Sequence, residues 1–175
     1  MPVPLLDRAA LAPMGDTPAA VRARLLSELD QFEAHLTQRQ ADWTRVQPGR
    51  DWTPAQDAEH VALINEAIAR VLSLLLSERA LRPAPQTPGD LTSDGRRRAP
   101  AAALPSDTGL PWAGWPARWA QGRAALEAAT AGLRATPGRT LWHPFFGELD
   151  ALDWARMVTA HLAGHRRALE RSVRA

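Results

Sequence analysis

The chain predicts an all-α protein, a four-helix bundle in a single domain spanning residues 1–175. Two observations carry this. Apolar residues recur at intervals of three and four in four separate stretches, each opened by a helix-start signal. No stretch alternates apolar and polar residues convincingly enough for a half-buried strand. Helices with apolar stripes and no sheet to cover must bury those stripes against one another.

The first helix opens at Thr17-Pro18, a hydroxyl cap followed by a proline whose missing N–H is harmless at the first helical position. Val21, Leu25, Leu29, Phe32 and Leu36 form its stripe, and the helix is expected over about 18–42. The second opens at Thr53-Pro54-Ala55-Gln56, where Thr53 and Gln56 can form a capping box. Val61, Ile64, Ile68, Val71, Leu72 and Leu75 carry its apolar face, with an expected span of about 54–79.

Residues 80–115 break every period. Pro83, Pro85, Pro88, Pro100, Pro105 and Pro111 interrupt them, with Gly89, Gly95 and Gly109 between. This is a long Pro-rich loop, a feature that in compact domains is functional or mobile. Its aromatic end, GLPWAGWPARW, is expected to fold back onto the body while the middle stays loose. A third helix follows over about 116–133, with Trp119, Leu126 and Leu133 on one face, and Thr136-Pro137-Gly138 closes it. The fourth is expected over about 151–172. Asp150 stands at its cap, Asp153 lies on the positive end of the dipole, and Trp154, Met157, Val158, Leu162 and Leu169 form the stripe.

Composition removes several function classes. A 45% hydrophobic and 23% charged chain lies near the average of globular proteins and is not globally disordered. All 21 basic residues are arginines, which sets the high isoelectric point, but the net charge is only +2. A balance that small gives no reason to expect nucleic acid or membrane as a partner. The run Arg96, Arg97 and Arg98 sits among Gly and Pro and reads as a solvated loop. There is no cysteine, so disulfides, thiolate metal sites and cysteine nucleophiles are all absent, and any thiol must arrive with a substrate. No stretch is apolar enough for a membrane span and the first residues do not resemble a signal peptide, so a cytoplasmic location is expected.

Three of the five histidines lie on inward stripes. His161 and His165 are one turn apart on the fourth helix, and residues four apart share a face. His60 stands one turn before Ile64 in the second helix. An i, i+4 pair can present two imidazole nitrogens to one cation, and a third from a facing helix completes a three-histidine set with an open coordination position. Periodicity is also compatible with three hydrogen-bonded core histidines, because it does not establish that the second and fourth helices meet at that level. His143 precedes a proline in a turn or extended segment and is a candidate wall or catalytic residue. Asp57 and Glu59 flank His60, and either can serve as acceptor or base, or stay a solvated carboxylate near a helix start. His35, beside the first stripe, reads as structural or surface. Seven tryptophans read as packing, with Trp112 and Trp115 also placed where a loop could lay them over the site as a lid.

Two segments, DWTPAQDAEHVALINEAI at 51–68 and HPFFGELDALDWARMVTAHLAGHRRALERS at 143–172, resemble the helix-two and helix-four signatures of the DinB/YfiT-like metalloprotein superfamily. The first shows Trp-Thr-Pro followed by a histidine. The second shows His-Pro, aromatics, Gly, a cap, Trp, then His-x-x-x-His. The Pro-rich segment is longer than that family's usual connection. The resemblance implies a DinB-like bundle, usually a homodimer, with a divalent metal ion, zinc or nickel, held by His60, His161 and His165.

It further implies either activation of a low-molecular-weight thiol for S-transfer to an electrophilic substrate, or activation of water for hydrolysis. For such a reaction Arg118 or Arg123 is a candidate to receive a substrate carboxylate, with a solvated surface arginine the other reading of both. The alternative is a non-enzymatic, stress-associated metal-binding bundle or scaffold.

Overall fold

The computed structural model describes residues 3–174. Four α-helices form the body: α1 Pro18–Leu36, α2 Pro54–Leu75, α3 Trp115–Thr130 and α4 Ala151–Arg174. α4 packs between α1 and α2, α2 also packs against α3, and a lighter contact of α1 with α3 closes the ring. α1 and α2 therefore face each other across the diagonal, and the expected four-helix bundle is the observed fold.

The start signals act as their chemistry requires. The Thr17 hydroxyl accepts from Ala20 N at 3.2 Å. At α2, Gln56 N donates to Thr53 Oγ1 at 3.2 Å while Thr53 N donates to Gln56 Oε1 at 3.1 Å, both halves of the capping box. Asp150 Oδ1 accepts from Asp153 N at 2.9 Å at the head of α4. The stripes are buried as expected: Val21, Leu25, Leu29, Phe32, Leu36, Val61, Leu72, Leu126, Val158, Leu162 and Leu169 are all inaccessible to solvent. Trp119 stacks on Phe32, centroids 5.2 Å apart and planes 8° from parallel, which joins α3 to α1.

Three helix ends fall short of the expected positions, each because a polar side chain captures terminal carbonyls. α1 stops at Leu36 rather than near residue 42. The Thr37 hydroxyl donates back to Ala34 O at 2.8 Å, and the buried Arg39 turns inward to donate to Leu169 O of α4 at 3.1 Å while holding Asp42. α2 stops at Leu75 rather than 79. Arg139 donates to Leu74 O and Leu75 O, and Arg134 to Leu76 O, so arginines from the α3–α4 connection satisfy the free carbonyls. α3 ends at Thr130 rather than 133, its hydroxyl bonded to Leu126 O at 2.7 Å.

One element was not expected. β1 Leu141–His143 and β2 Gly147–Leu149 form an antiparallel hairpin in which His143 pairs with Gly147, whose φ of +75° suits glycine. Strands of three residues are too short to show an alternation.

The Pro-rich segment is also more ordered than expected, being pinned at both halves. Its first half lies on the hairpin: Gly89 N donates to Pro144 O at 2.8 Å, and the indole N–H of Trp142 to Thr87 O at 3.0 Å. Its second half lies on α2. Leu110 N donates to Ala55 O at 3.2 Å, Gln56 Nε2 to Ser106 O at 3.1 Å, and Ser106 N and Oγ to Glu59 Oε2 at 2.9 and 2.8 Å. Gly109 makes this docking possible, since a Cβ there would stand 2.4 Å from the Ala55 carbonyl carbon.

Candidate metal centre

His60 comes from α2, and His161 and His165 from adjacent turns of α4. Their ring centroids are 4.5 to 5.0 Å apart, and one nitrogen from each lies within 4.8 Å of the other two. His60 Nε2 and His161 Nε2 are 3.0 Å apart. Nitrogens bound to one ion at about 2.0–2.1 Å stand roughly 3 Å apart in a right-angled arrangement and somewhat more in a tetrahedral one, so this pair is already at ligand spacing.

Two polar contacts fix which nitrogen each ring turns inward. His60 Nδ1 lies 2.6 Å from Ala103 O, and a carbonyl can only accept, so Nδ1 carries the proton and Nε2 presents its lone pair to the cluster. His165 Nδ1 lies 2.8 Å from Oδ1 of Asp57, leaving Nε2 as its available nitrogen. Asp57 is fully buried and its other oxygen takes the Arg50 guanidinium. Asp57 is thus the acceptor beside the site, whereas Glu59 is engaged with Ser106 and straps the loop.

His161 has no such support. Its Nδ1 is buried without a partner, and it donates Nε2–H to His60 Nε2, whose own proton is on Nδ1. A cation at this point would take both Nε2 lone pairs and leave the His161 proton on Nδ1. An orphaned buried nitrogen, a pair of facing imidazoles and a carboxylate behind the third ring suit a divalent metal.

Burial pushes the His60 pKa down to about 4, helped by positive charge on His165 and opposed by Ala103 and Asp57. Burial likewise pushes His161 well below the usual histidine range, with His165 and His60 adding to it. Both are neutral near pH 7, the state in which imidazole binds metal.

Trp52 is the aromatic wall. Its ring lies 4.9 Å from His60 and stacks on His165 at 6.3 Å with planes 10° apart. The lid expected from Trp112 and Trp115 is not found: they pack on Trp43 at 5.1 and 5.9 Å, with Trp43 Nε1 bonded to Leu110 O.

His143, at the end of β1, accepts at Nδ1 from Phe145 N and Phe146 N at 3.1 and 3.3 Å, and its ring stands 5.1 Å from Trp154. Burial and the nearby Arg97 charge push its pKa down to about 4, so the ring is neutral and carries its proton on Nε2. His35 accepts from Arg39 at 2.9 Å and is structural. Arg118 and Arg123 are not free to take a substrate carboxylate, because Arg118 pairs with Glu66, and Arg123 with Asp30, Glu33 and Glu127.

Sequence reading found the three histidines, Asp57 and His143 but missed Trp52 as a wall residue, Arg50 and the Ala103 carbonyl. Trp52 carried one available signal, its place directly before the Thr53 cap of the ligand-bearing helix. A backbone carbonyl leaves none.

A four-helix bundle with three convergent histidines on two of its helices is the class of protein that fold and site define. The sequence profile of the DinB superfamily matches residues 20–169, and the chain belongs to that superfamily. It is similar to a solved structure described as the crystal structure of TT2238, a four-helix bundle protein. That likeness has 29% identity and a TM-score of 0.61, covering 89% of this chain and all of the other. No protein of curated function matches it. Among the described residues no helix is long and apolar enough to cross a membrane.

Proposed function

We propose that this protein is a metal-dependent enzyme that activates a low-molecular-weight thiol for transfer to an electrophilic substrate. The observation that carries the reading is the convergence of neutral imidazoles on one point, with His60 and His161 Nε2 3.0 Å apart, in a chain without cysteine. His60, His161 and His165 would hold the ion, and an all-imidazole set suits zinc or nickel. A divalent cation held there would supply Lewis acidity, lowering the pKa of a bound thiol or water toward neutrality.

The chain's own residues do the rest. Asp57 and the Ala103 carbonyl keep the His165 and His60 Nδ1 protons pointing away from the cluster. Trp52 covers two of the rings, and the His143 Nε2–H would be the donor that orients a bound substrate. Cytoplasmic location and homodimerisation belong to the same proposal, and sedimentation at about twice 19.1 kDa tests the dimer.

The decisive experiment loads purified protein with zinc or nickel and measures thiol binding, then turnover with electrophilic thiol acceptors and with esters. Thiol-dependent turnover supports the proposal. Ester hydrolysis without thiol dependence moves the assignment to a hydrolase. Absence of thiol binding and of both activities overturns it.

A further inference from the structure

Over the hairpin that carries His143, the first half of the Pro-rich segment holds a cation the proposed chemistry has not used. Arg97 holds its guanidinium 5.9 Å from the Phe145 ring centroid and 5.8 Å from that of Phe146. Those two residues lie two and three positions after His143, and their backbone N–H groups are the donors to its Nδ1. The backbone around Arg97 is fixed. Arg97 bridges to Leu91, Arg98 N donates to Asp90 O at 2.9 Å, and the neighbouring Gly89 is packed against Phe145 with no room for a Cβ.

The neighbouring Arg96 is already paired. Arg96 pairs with Asp51 and Asp94, yet no carboxylate and no hydrogen-bond acceptor meets the Arg97 side chain among the described residues. The residue is exposed overall, but protein surrounds the guanidinium closely enough that desolvation lowers its pKa. The two aromatic rings offset part of that desolvation, and the solvent-facing donors of the guanidinium stay open to an anion. His143 packs on Trp154, which lies seven residues, two helical turns, before His161 on the same face of α4, so the hairpin that Arg97 covers borders the site. The buried Trp154 indole N–H, on the ring packed against His143, also lacks an acceptor.

We propose that Arg97 is an anion-binding residue at the rim of the histidine centre, taking a carboxylate of the small molecule that reacts there. The inference rests on the reading of the centre as a metal site that binds small molecules. Within that reading it narrows the substrate class to carboxylate-bearing compounds. A guanidinium offers paired donors to a carboxylate, and such charge-assisted bonds contribute about 1.5–3 kcal/mol, roughly ten- to a hundredfold in affinity.

The test compares acids with neutral amides of the same shape on zinc-loaded protein by ligand-observed NMR. One pair carries a thiol, 3-mercaptopropionate and 3-mercaptopropionamide. The other carries a methyl thioether in its place. Wild type is expected to bind at least one acid about tenfold or more tightly than its amide. Arg97→Gln should reduce that preference to within about twofold while leaving amide affinity and zinc content unchanged, and Arg97→Lys should recover part of it.

A preference that survives Arg97→Gln, or no preference in wild type for either pair, overturns the proposal. If the acid preference depends on Arg97 but thiols bind no more tightly than thioethers, the anion site stands and the thiol reading falls. A preference confined to the thiol pair places the carboxylate on the thiol cosubstrate. An equal one in both pairs places it on the acceptor.

Discussion

Asp57→Asn is the most informative single change, because the buried carboxylate accepts on both oxygens, one from His165 Nδ1 at 2.8 Å and one from Arg50. Asparagine has one acceptor and one donor. With its carbonyl toward His165, its NH2 meets the guanidinium, donor against donor, and Arg50 loses that carboxylate with its side chain only 17% exposed. Rotated the other way, the NH2 meets His165 Nδ1 and forces the ring proton onto Nε2, the nitrogen needed at the cluster. Neither orientation leaves both neighbours intact.

Loss of a carboxylate behind a metal-ligating histidine lowers metal affinity by about 10- to 100-fold. Breaking one side of a buried ion pair costs about 3–5 kcal/mol, and the residual water access of Arg50 argues for the lower end, about 3 kcal/mol. For a chain of this size that is a fall of about 6–12 °C in Tm.

Zinc affinity by chelator competition and thermal melts of metal-free protein read the two effects separately. Arg50→Met supplies the contrast: it should destabilise comparably while weakening zinc less, since His165 keeps its acceptor. Zinc affinity within twofold of wild type in Asp57→Asn would refute the assigned role of the carboxylate.

His161→Ala removes a ring whose Nδ1 has no partner, so metal binding should be lost while Tm falls by only a few degrees. Elemental analysis with a melt checks this, and collapse of the fold would mark the ion as structural. Gly109→Ala drives a Cβ into the Ala55 backbone at a φ of +69°, at an expected cost of about 1–3 kcal/mol. It should expose residues 98–114 to limited proteolysis and weaken zinc by releasing Ala103, and an unchanged digestion pattern would contradict the docking.

Metal-free protein should lose stability on acidification. His60 and His143 sit near pKa 4 when folded against about 6.5 unfolded, so the unfolded state takes protons first. The stabilisation is complete above about pH 6.5 and is lost as pH falls toward 4, to a limit of about 3 kcal/mol per histidine. Urea melts at pH 7, 5.5 and 4.5 measure it, and equal midpoints would count against the burial of both rings.

What the sequence makes legible is whatever repeats or has a local partner. Thr53 and Gln56 are three residues apart, so their reciprocal cap is visible in the chain, as is the one-turn spacing of His161 and His165. The end of α2 was misplaced because its stop is made by a residue distant in sequence, Arg139 on Leu75, whereas α1 is stopped locally by the Thr37 hydroxyl on Ala34 O. Arginines look alike in a chain with 21 of them, and only tertiary contact separates the capping Arg139 from the paired Arg123 and the unpaired Arg97. The tryptophans show the same limit. Trp52 and Trp112 are chemically equivalent, and the side of the bundle each reaches decides that the first walls the histidines and the second packs on Trp43.

The docked Pro-rich segment has a physical reason in the needs of His60. Inside a helix each backbone carbonyl is already taken by the N–H four residues on, so a histidine between helices has few acceptors for its outward nitrogen. A buried carboxylate is one solution, and α2 provides it to His165 through Asp57. A carbonyl from outside the helices is the other, and a short helix connection would not reach His60. Ala103 reaches it because the segment runs back along α2, held by Gln56, Glu59 and the close approach of Gly109. His161 receives neither kind of support, which makes it the ring free to exchange its Nε2–H contact with His60 for a cation.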